Sequence, residues 1–369
     1  MKSTTLMLAA ACVLAHTSAV ALQLTQVHVD RNVFDPARKE KADVKFHLDE
    51  PAGAELLLFD GRDVLVRTVR ATAVLQPGDR AITWDGKDES GRVVPREAYH
   101  FVVKATSPGG ATAVSDLSDA TGGEQIVAQN VAWDADAHRI RYRLPQAARV
   151  NIRVGLQDNG PVLRTVIDWV ARPAGDNEQA WDGWDESHVL DVGKHPKLSV
   201  FVDAYALSTN TLLVGPVTDA VALIDPLPWG RHEREGRTAP RKLMHYHSQQ
   251  PIEQRGDVAV RVVLPEGLSK NAAGVPEVSG RVTVRLDVDP KDRDRVIRTR
   301  FEPVFFVDGT FAFENEVGYL PFSWIWDTST MNEGIHYVSV NVRGYEGNFG
   351  MATVKVDVRH APTGKGAEQ

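Results

Sequence analysis

The chain is almost free of cysteine. Cys12 is the only one in 369 residues, and it lies in an N-terminal apolar stretch that we expect to be removed. A mature chain without thiols excludes disulfide bonds, cysteine-ligated zinc sites and covalently attached c-type haem. Basic residues are also in deficit, with 42 Lys and Arg against 49 Asp and Glu. Because nucleic-acid binding needs clustered basic side chains, we expect no nucleic-acid partner.

Long apolar runs are absent beyond the N-terminus, which predicts that the protein is not an integral membrane protein. Lys2 precedes the apolar residues 6–15, and the small residues 19–21 (AVA) follow. This order is typical of a secretory signal peptide. Residues 1–21 are therefore predicted to be cleaved on export to the periplasm, the cell surface or the extracellular space. Lipid attachment at Cys12 is the alternative, although alanine stands where a lipoprotein signal carries leucine.

Signatures of catalysis are missing as well. The sequence contains no phosphate-binding glycine loop, dinucleotide fingerprint or serine nucleophile elbow. His232-Glu233 begins like a zinc-protease helix, but Gly236 occupies the position of the second histidine. We therefore predict no catalytic residue, no cofactor and no enzymatic activity.

What the chain does contain is an internal repeat. Residues 64–69 (VLVRTV) return as 161–166 (PVLRTV), and residues 84–90 (WDGKDES) return as 181–187 (WDGWDES). Both copies are displaced by 97 residues, so no gap separates the two matches. The repeat predicts two structurally equivalent units, with their shared tryptophans in equivalent, half-buried positions.

Each unit has the pattern of β-strands. Apolar and polar residues alternate at 44–48 (VKFHL) and at 140–144 (IRYRL), which indicates strands with one buried face. Turn pairs such as Asp60-Gly61 and Pro77-Gly78 separate the apolar runs. Short strands at this spacing, without a helical period, predict an all-β fold built from β-sandwiches.

Several segments of the first unit also match a known pattern. They are 49–53 (DEPAG), 58–62 (LFDGR), 66–69 (VRTV), 84–92 (WDGKDESGR) and 98–101 (AYHF). Together they resemble the immunoglobulin-like (Ig-like) domain named after the flagellar hook-cap protein. The resemblance implies a non-catalytic sandwich module of the kind found in many secreted bacterial proteins.

The resemblance has two limits. The second unit keeps the W-D-G-x-D core but has His188 where the family carries glycine, so its identity follows from the internal repeat. The chain is also not expected to be a hook cap, because hook caps leave through the flagellar export apparatus and this chain begins with a secretory signal.

The C-terminal part resembles a different bacterial Ig-like module. The matching segments are 305–309 (FFVDG), 320–329 (LPFSWIWDTS), 333–336 (EGIH) and 344–350 (GYEGNFG). Such modules act as spacers and adhesion elements, and the resemblance implies the same here. The predicted architecture is three tandem Ig-like β-sandwiches after the signal peptide. Its predicted parts are domains at 28–106, 112–224 and 257–360, a linker or inserted loop at 225–256, and a disordered tail at 361–369.

Metal ligands are sparse. His245 and His247 flank Tyr246 and would point the same way in an extended chain, but two ligands do not make a site. Four aspartates between 287 and 294 suit calcium in number, yet three basic residues are interleaved with them. We interpret that stretch as a solvated turn and predict no bound metal.

Aromatic and basic residues supply the candidate binding surface. Trp169 and Trp184 stand where the first unit has Thr72 and Lys87. Because a position that accepts lysine is normally wet, we predict that Trp184 is exposed and anchors an interface. The 225–256 stretch is rich in arginine and aromatic residues in an acidic protein, which favours an acidic partner. The predicted partner-binding residues are Trp169, Trp184, Trp229, Arg231, Arg234, Arg241 and Tyr246.

These observations favour a non-catalytic scaffold or adhesion protein that holds other macromolecules at the bacterial envelope or surface. Its expected partners are other envelope or extracellular proteins, in a larger assembly, or a polysaccharide. A carbohydrate-binding accessory protein is the alternative. The alternating Phe322, Trp324 and Trp326 would support it if exposed, but we predict that they face a sandwich core. An enzyme with a site between domains is the third hypothesis.

Overall fold

The computed structural model describes residues 21–61, 63–215, 257–345 and 349–360. The predicted all-β, Ig-like fold is confirmed, since strands dominate and pair into sheets that stack in twos. Three groups of strands each enclose a separate hydrophobic core, and we call them the first, second and third units. The predicted signal peptide, all but its last residue, lies outside the described residues, as do the 225–256 stretch and the C-terminal tail.

The first unit packs two sheets face to face. One has the order β1-β3-β6 and the other β2-β16-β7-β4-β5, where β16 is Thr211–Val214, and β8 also pairs with β7. Residues 42–48 alternate as the sequence predicts, because Val44 and Phe46 face the core while the lysine between them is partly exposed. The strands are β1 (Leu24–Val29), β2 (Val33–Phe34), β3 (Ala42–Leu48), β4 (Gly53–Phe59), β5 (Leu65–Arg70), β6 (Gly78–Trp84), β7 (Ala98–Thr106) and β8 (Thr112–Ser115).

The second unit repeats this plan with sheets ordered β10-β11-β14 and β13-β12-β15-β9. Ile140 and Tyr142 of the predicted 140–144 strand are buried in its core, next to Val150 and Ile152 of the facing sheet. The strands are β9 (Gln125–Val127), β10 (Gln129–Asp134), β11 (Arg139–Leu144), β12 (Ala148–Leu156), β13 (Val162–Arg172), β14 (Gly175–Ala180) and β15 (Leu198–Ala206).

Strand β16 (Thr211–Val214) follows the second unit in sequence but hydrogen-bonds in the first unit's sheet. It pairs antiparallel with residues 98–100 of β7, while β8 pairs with residues 103–106 of the same strand. One edge of the first unit is thus built from two pieces, and the second unit is inserted between them. Residues 211–214 fall within the second predicted domain, but their hydrogen bonds place them in the first unit.

The third unit stacks sheets β17-β19-β22 and β18-β24-β23-β20-β21. The predicted inward row is found, since Phe322 and Trp326 are buried and Trp324 packs against the same core. Its elements are β17 (Val260–Val263), β18 (Glu277–Val278), β19 (Arg281–Val288), α1 (Pro290–Thr299), β20 (Phe301–Val307), β21 (Thr310–Glu314), β22 (Phe322–Asp327), β23 (Gly334–Gly344) and β24 (Phe349–Val358).

The aspartate-rich stretch forms helix α1 instead of the predicted solvated turn. Asp289 caps the helix by accepting the Lys291 N–H at 3.0 Å. Asp292 is buried and accepts the Ala259 N–H at 2.9 Å. The sequence pattern did not reveal this N-cap, because the aspartates were considered as metal ligands and not as acceptors for the first backbone N–H groups of a helix.

Side chains join the second and third units. Asn341 extends from β23 and forms two hydrogen bonds with Val162 of β13. The Val162 N–H donates to Asn341 Oδ1 at 2.9 Å, and the Asn341 Nδ2–H donates to the Val162 carbonyl at 2.7 Å. The Thr353 N–H donates to Ser187 Oγ at 2.9 Å. The amide of Asn341 therefore satisfies the outer edge of β13 as another strand would.

Asp257 makes this junction sensitive to pH. Its carboxylate lies 3.9 Å from the Arg153 guanidinium. Burial raises its pKa to about 6 from 3.8, against the opposing charge of Arg153. A carboxyl group whose folded pKa is raised binds its proton more tightly in the folded state. The free energy of unfolding should therefore fall as the pH rises from about 4 to about 6 and stay lower above that range.

Asp257→Asn should remove this decrease in the free energy of unfolding between about pH 4 and pH 6. The decrease is at most roughly 3 kcal/mol, because each pKa unit corresponds to about 1.4 kcal/mol. Urea unfolding at several pH values measures it. His336 supplies an internal control at higher pH. Burial opposes its charge, but its bonds to Asp308 and the Asn332 carbonyl raise its pKa, so its contribution is lost only as the pH rises further. Identical pH profiles below about pH 6 for the wild-type chain and the Asp257→Asn variant would contradict the assignment.

Candidate interaction surface

The candidate site is the turn that follows β14 in the second unit, residues 181–190, which we call the Trp184 turn. Asp182 accepts the Trp184 N–H at 3.0 Å, and Asp185 accepts the N–H groups of Val189 and Leu190 at 2.7 and 2.9 Å. Between the aspartates, Gly183 adopts a left-handed conformation with φ of 86°. The turn is thus held by its own carboxylates, which is the role that aspartate has in such turns.

The first unit contains the same turn with the same bonds. The Trp84 indole N–H donates to the Lys87 carbonyl at 2.9 Å, and the Trp181 indole N–H donates to the Trp184 carbonyl at 3.0 Å. Both indoles are buried, with 0% and 5% of their surface exposed, and so lie deeper than the predicted half-buried position. The repeat therefore extends from sequence to hydrogen bonding.

Trp184 differs in character from its counterpart and lies at the surface. Its side chain is 38% exposed, in keeping with the wet position that Lys87 predicts. In the first unit, Lys87 lies 3.7 Å from Asp85, so the same place on the fold carries a hydrated charge. The second unit has replaced that charge by a large apolar ring while keeping the turn beneath it.

Trp169, the other predicted anchor in the second unit, is not at the surface. Only 8% of it is exposed, and its ring lies 5.3 Å from that of Tyr205. Its backbone is left-handed, with φ of 52°, at an irregular position in the β12–β13 pairing. The other predicted residues lie outside the described part of the chain: Trp229, Arg231, Arg234, Arg241, Tyr246 and the weak metal candidates His245 and His247.

A third tryptophan lies beside the turn, and no motif in the sequence marks it. Trp133 of β10 packs against Trp181 with ring centroids 4.6 Å apart, and its indole N–H donates to the Gly193 carbonyl at 3.1 Å. His138 contacts the Trp133 ring edge-on at 5.8 Å. The repeat comparison cannot find this cluster, because Trp133 and His138 lie outside the repeated segments and far in sequence from Trp181.

A shallow cavity of about 470 Å³ opens beside the turn. Aromatic, basic and acidic side chains share its wall. It is lined by His138, Arg139, Arg164, Val166, Ala180, Trp181 and Asp182. Such a mixed wall can donate hydrogen bonds from its basic side chains and accept them at its carboxylate.

The acidic side chains around the cavity, Asp182 and Glu186, each lie close to a basic side chain. Burial alone would raise the pKa of Asp182, but the Trp184 N–H, Arg164 and His188 together lower it. His188 Nε2 lies 3.1 Å from Asp182 Oδ2. Burial raises the pKa of Glu186, although Arg164 lies 3.6 Å away. Within the described residues, no group of three His, Cys, Asp or Glu side chains is placed to hold a metal ion.

Comparison with known proteins identifies one segment. Residues 32–109 match the sequence model of the FlgD Ig-like domain family. The match runs from β2 to β7 and leaves out β1, β8 and β16 of the first unit. No curated protein sequence matches the chain. Among the described helices, none is long and apolar enough to cross a membrane.

Solved structures that align with the chain include parts of two adhesion proteins. A 1.5-MDa bacterial ice-binding adhesin aligns at 11% identity and a TM-score of 0.20, over 92% of this chain and 99% of that chain. The tetra-tandem repeat of a large adhesion protein aligns at 13% identity and a TM-score of 0.18, over 92% of this chain and 74% of that chain. Latent PorU of Porphyromonas gingivalis aligns at 11% identity and a TM-score of 0.21, over 92% of this chain and 34% of that chain. Values this low identify neither a shared arrangement of units nor a shared function.

Proposed function

We propose that the protein is a non-catalytic scaffold or adhesion protein, exported after removal of residues 1–21, that holds other macromolecules at a bacterial envelope or cell surface. Its three units are three Ig-like domains, the third being a spacer-type module. Other envelope or extracellular proteins are its partners. The match of residues 32–109 to a non-catalytic Ig-like domain family supports the class of module.

The observation that carries the proposal is the replacement of Lys87 by Trp184 on an otherwise conserved turn. An exposed indole costs solubility, and Asp182 and Asp185 already hold the turn by their hydrogen bonds to its backbone N–H groups. Large aromatic side chains that are exposed in this way are enriched among the residues that dominate binding energy. Trp184 is therefore the anchor of the interface, and the neighbouring cavity accepts part of the partner.

Carbohydrate binding is the second candidate function, and the cavity favours it. The hydroxyl groups of a sugar need several hydrogen-bond donors and acceptors around the ring. The wall beside Trp181 offers His138, Arg139, Arg164 and Asp182 for that purpose. Binding to purified polysaccharide in the absence of any protein would favour this function over the first.

Trp184→Lys, which installs the residue of the first unit, should weaken binding about 30-fold, or about 2 kcal/mol, if Trp184 is a hot spot. Its effect on the free energy of unfolding should stay below about 1 kcal/mol, because the side chain lies at the surface. Binding is measured by co-sedimentation of the purified protein with envelope fragments of the producing bacterium, and separately with purified envelope polysaccharide.

Val93→Lys is the matched control. Val93 is 56% exposed and lies in the equivalent turn of the first unit, where it bridges to Lys87. The control substitution removes exposed apolar surface and adds the same charge, so it should leave binding unchanged. Equal losses for the two variants, or unfolding of the second unit by Trp184→Lys, would show that Trp184 does not anchor an interface.

A further inference from the structure

One end of the second unit's core contains a buried arginine. Arg172 is the last residue of β13 and pairs with Ala148 of β12. Paired residues of neighbouring strands point to the same face of a sheet, and Ala148 belongs to the core, so Arg172 also points between the two sheets. Only 1% of it is exposed. Charged side chains are almost never buried this deeply unless an opposite charge pairs with them.

Arg172 has only neutral partners in the described part of the chain. Its Nη2–H donates to Gln179 Oε1 at 2.7 Å, and its Nη1–H donates to the Ala171 carbonyl at 3.4 Å, while its Nε–H is buried without an acceptor. The other arginines of the second unit each lie within 3.9 Å of a carboxylate: Arg139, Arg141, Arg143, Arg149, Arg153 and Arg164. Arg172 is thus the exception among them.

The Tyr142 hydroxyl, on β11 of the facing sheet, is a second donor at this place. Tyr142 is 2% exposed, and within the described residues its oxygen has no acceptor for the hydroxyl proton. Burial raises the pKa of the hydroxyl, although the charge of Arg172 opposes that shift. The hydroxyl therefore keeps its proton. Arginine has no acceptor atom and cannot take that proton, so the Tyr142 O–H and the Arg172 Nε–H are two neighbouring buried donors.

The first unit has apolar side chains at the equivalent positions. By the repeat and by strand pairing, the equivalents are Phe46 for Tyr142, Leu75 for Arg172 and Ile82 for Gln179. All three belong to the first core or pack against it. The sandwich therefore forms with apolar side chains alone at this place, and the fold itself does not require an arginine there.

A bound anion accounts for the whole set of polar side chains. A buried guanidinium without a counter-charge is strongly unfavourable, and buried donors without acceptors add to that cost. An anion supplies the missing charge and accepts from both donors at once. Because the three side chains are buried, the anion must be small enough to be enclosed by the core. We propose that the second unit binds a small inorganic anion of the size of chloride between Arg172 and Tyr142.

The two units make the test internal to one chain. An anion that binds only the folded second unit shifts its unfolding equilibrium by the factor 1 + [anion]/Kd. The first unit has an apolar core at this place and should show no such shift. The inference does not depend on the proposed function or on Trp184, since it concerns the core of the second unit and not its surface.

Hydrogen exchange of the full chain measures the shift in each unit. The slowest amides of β11, β12 and β14 should exchange about tenfold more slowly in sodium chloride than in sodium gluconate of the same concentration, once chloride is roughly ten times its Kd. Equal concentrations keep the screening of surface charges the same. Amides of β3, β4 and β7 in the first unit should exchange equally in the two salts. Equal exchange of the second unit in both salts, or the same slowing in both units, would overturn the proposal.

Replacing the polar side chains by those of the first unit should remove the chloride effect. The variant combines Tyr142→Phe, Arg172→Leu and Gln179→Ile. Arg172→Met alone serves if that combination does not fold, because it removes the charge and the Nε–H. Arg143→Met is the matched control, since Arg143 lies at the surface of the same unit and pairs with Asp176 at 2.8 Å. It should keep the chloride effect. A chloride effect that persists without Arg172, or that Arg143→Met abolishes equally, would contradict the assignment.

Bromide locates the anion directly. In crystals of the protein soaked in sodium bromide, an anomalous peak should lie beside Arg172 Nε and the Tyr142 hydroxyl. Bromide peaks at surface arginines alone would show adventitious ions only and would overturn the proposal. An ordered water molecule between Arg172 and Tyr142, without a bromide peak, would overturn it as well.

Discussion

Trp84→Ala is expected to lower the free energy of unfolding of the first unit by about 3–5 kcal/mol. The indole is fully buried and contacts the rings of Phe34 and Tyr99 at 5.5 and 5.4 Å. Its loss leaves a cavity between the two sheets and removes the bond to the Lys87 carbonyl. Urea denaturation followed by circular dichroism and by hydrogen exchange of the first unit measures the effect.

The control is Val93→Ala, in the same turn and 56% exposed, which should change the free energy of unfolding by about 0.5 kcal/mol or less. Trp181→Ala should repeat the large effect in the second unit, because its indole makes the equivalent bond. A loss below about 1 kcal/mol for Trp84→Ala would mean that the motif tryptophan does not hold the turn against the core.

Leu212→Ala should destabilise the first unit by about 2–5 kcal/mol, although the residue follows the second unit in sequence. Leu212 is fully buried in the first core, and its strand β16 pairs with β7. Hydrogen exchange should therefore accelerate in β4 and β7 and not in β11 or β12. The effect would show that β16 is part of the first unit's cooperative structure, although it follows the second unit in sequence.

Phe201→Ala is the control, since Phe201 is 44% exposed on β15 and contributes little to either core. The insertion is contradicted if Leu212→Ala accelerates exchange only in the second unit, or if it leaves exchange in β7 unchanged.

Much of the fold follows from short-range patterns in the sequence. The alternation around Val44 and Phe46 predicts a half-buried strand, and the same period at Ile140 and Tyr142 predicts its counterpart. The W-D-G-x-D spacing predicts the two equivalent turns, since aspartates so placed can accept their own backbone N–H groups. The contrast between Lys87 and Trp184 predicts an exposed indole because it compares two copies of one position.

The other features depend on contacts between distant segments. Strand β16 is only four residues long, and nothing in Thr211–Val214 distinguishes pairing with β7 from pairing within the second unit. Trp133 meets the Trp184 turn only after β10 and β14 have paired on either side of β11. The depth of Trp84 depends on Phe34 and Tyr99 closing over it, which no local pattern records.

Hydroxyl-radical footprinting measures directly whether Trp184 contacts the partner. Purified protein is oxidised alone and with envelope fragments of the producing bacterium, and indole oxidation is quantified by mass spectrometry. Trp184 should be protected when the envelope is present, while Tyr345, 65% exposed in the third unit, should react equally in both samples. Binding that leaves Trp184 as reactive as in the free protein would contradict the account.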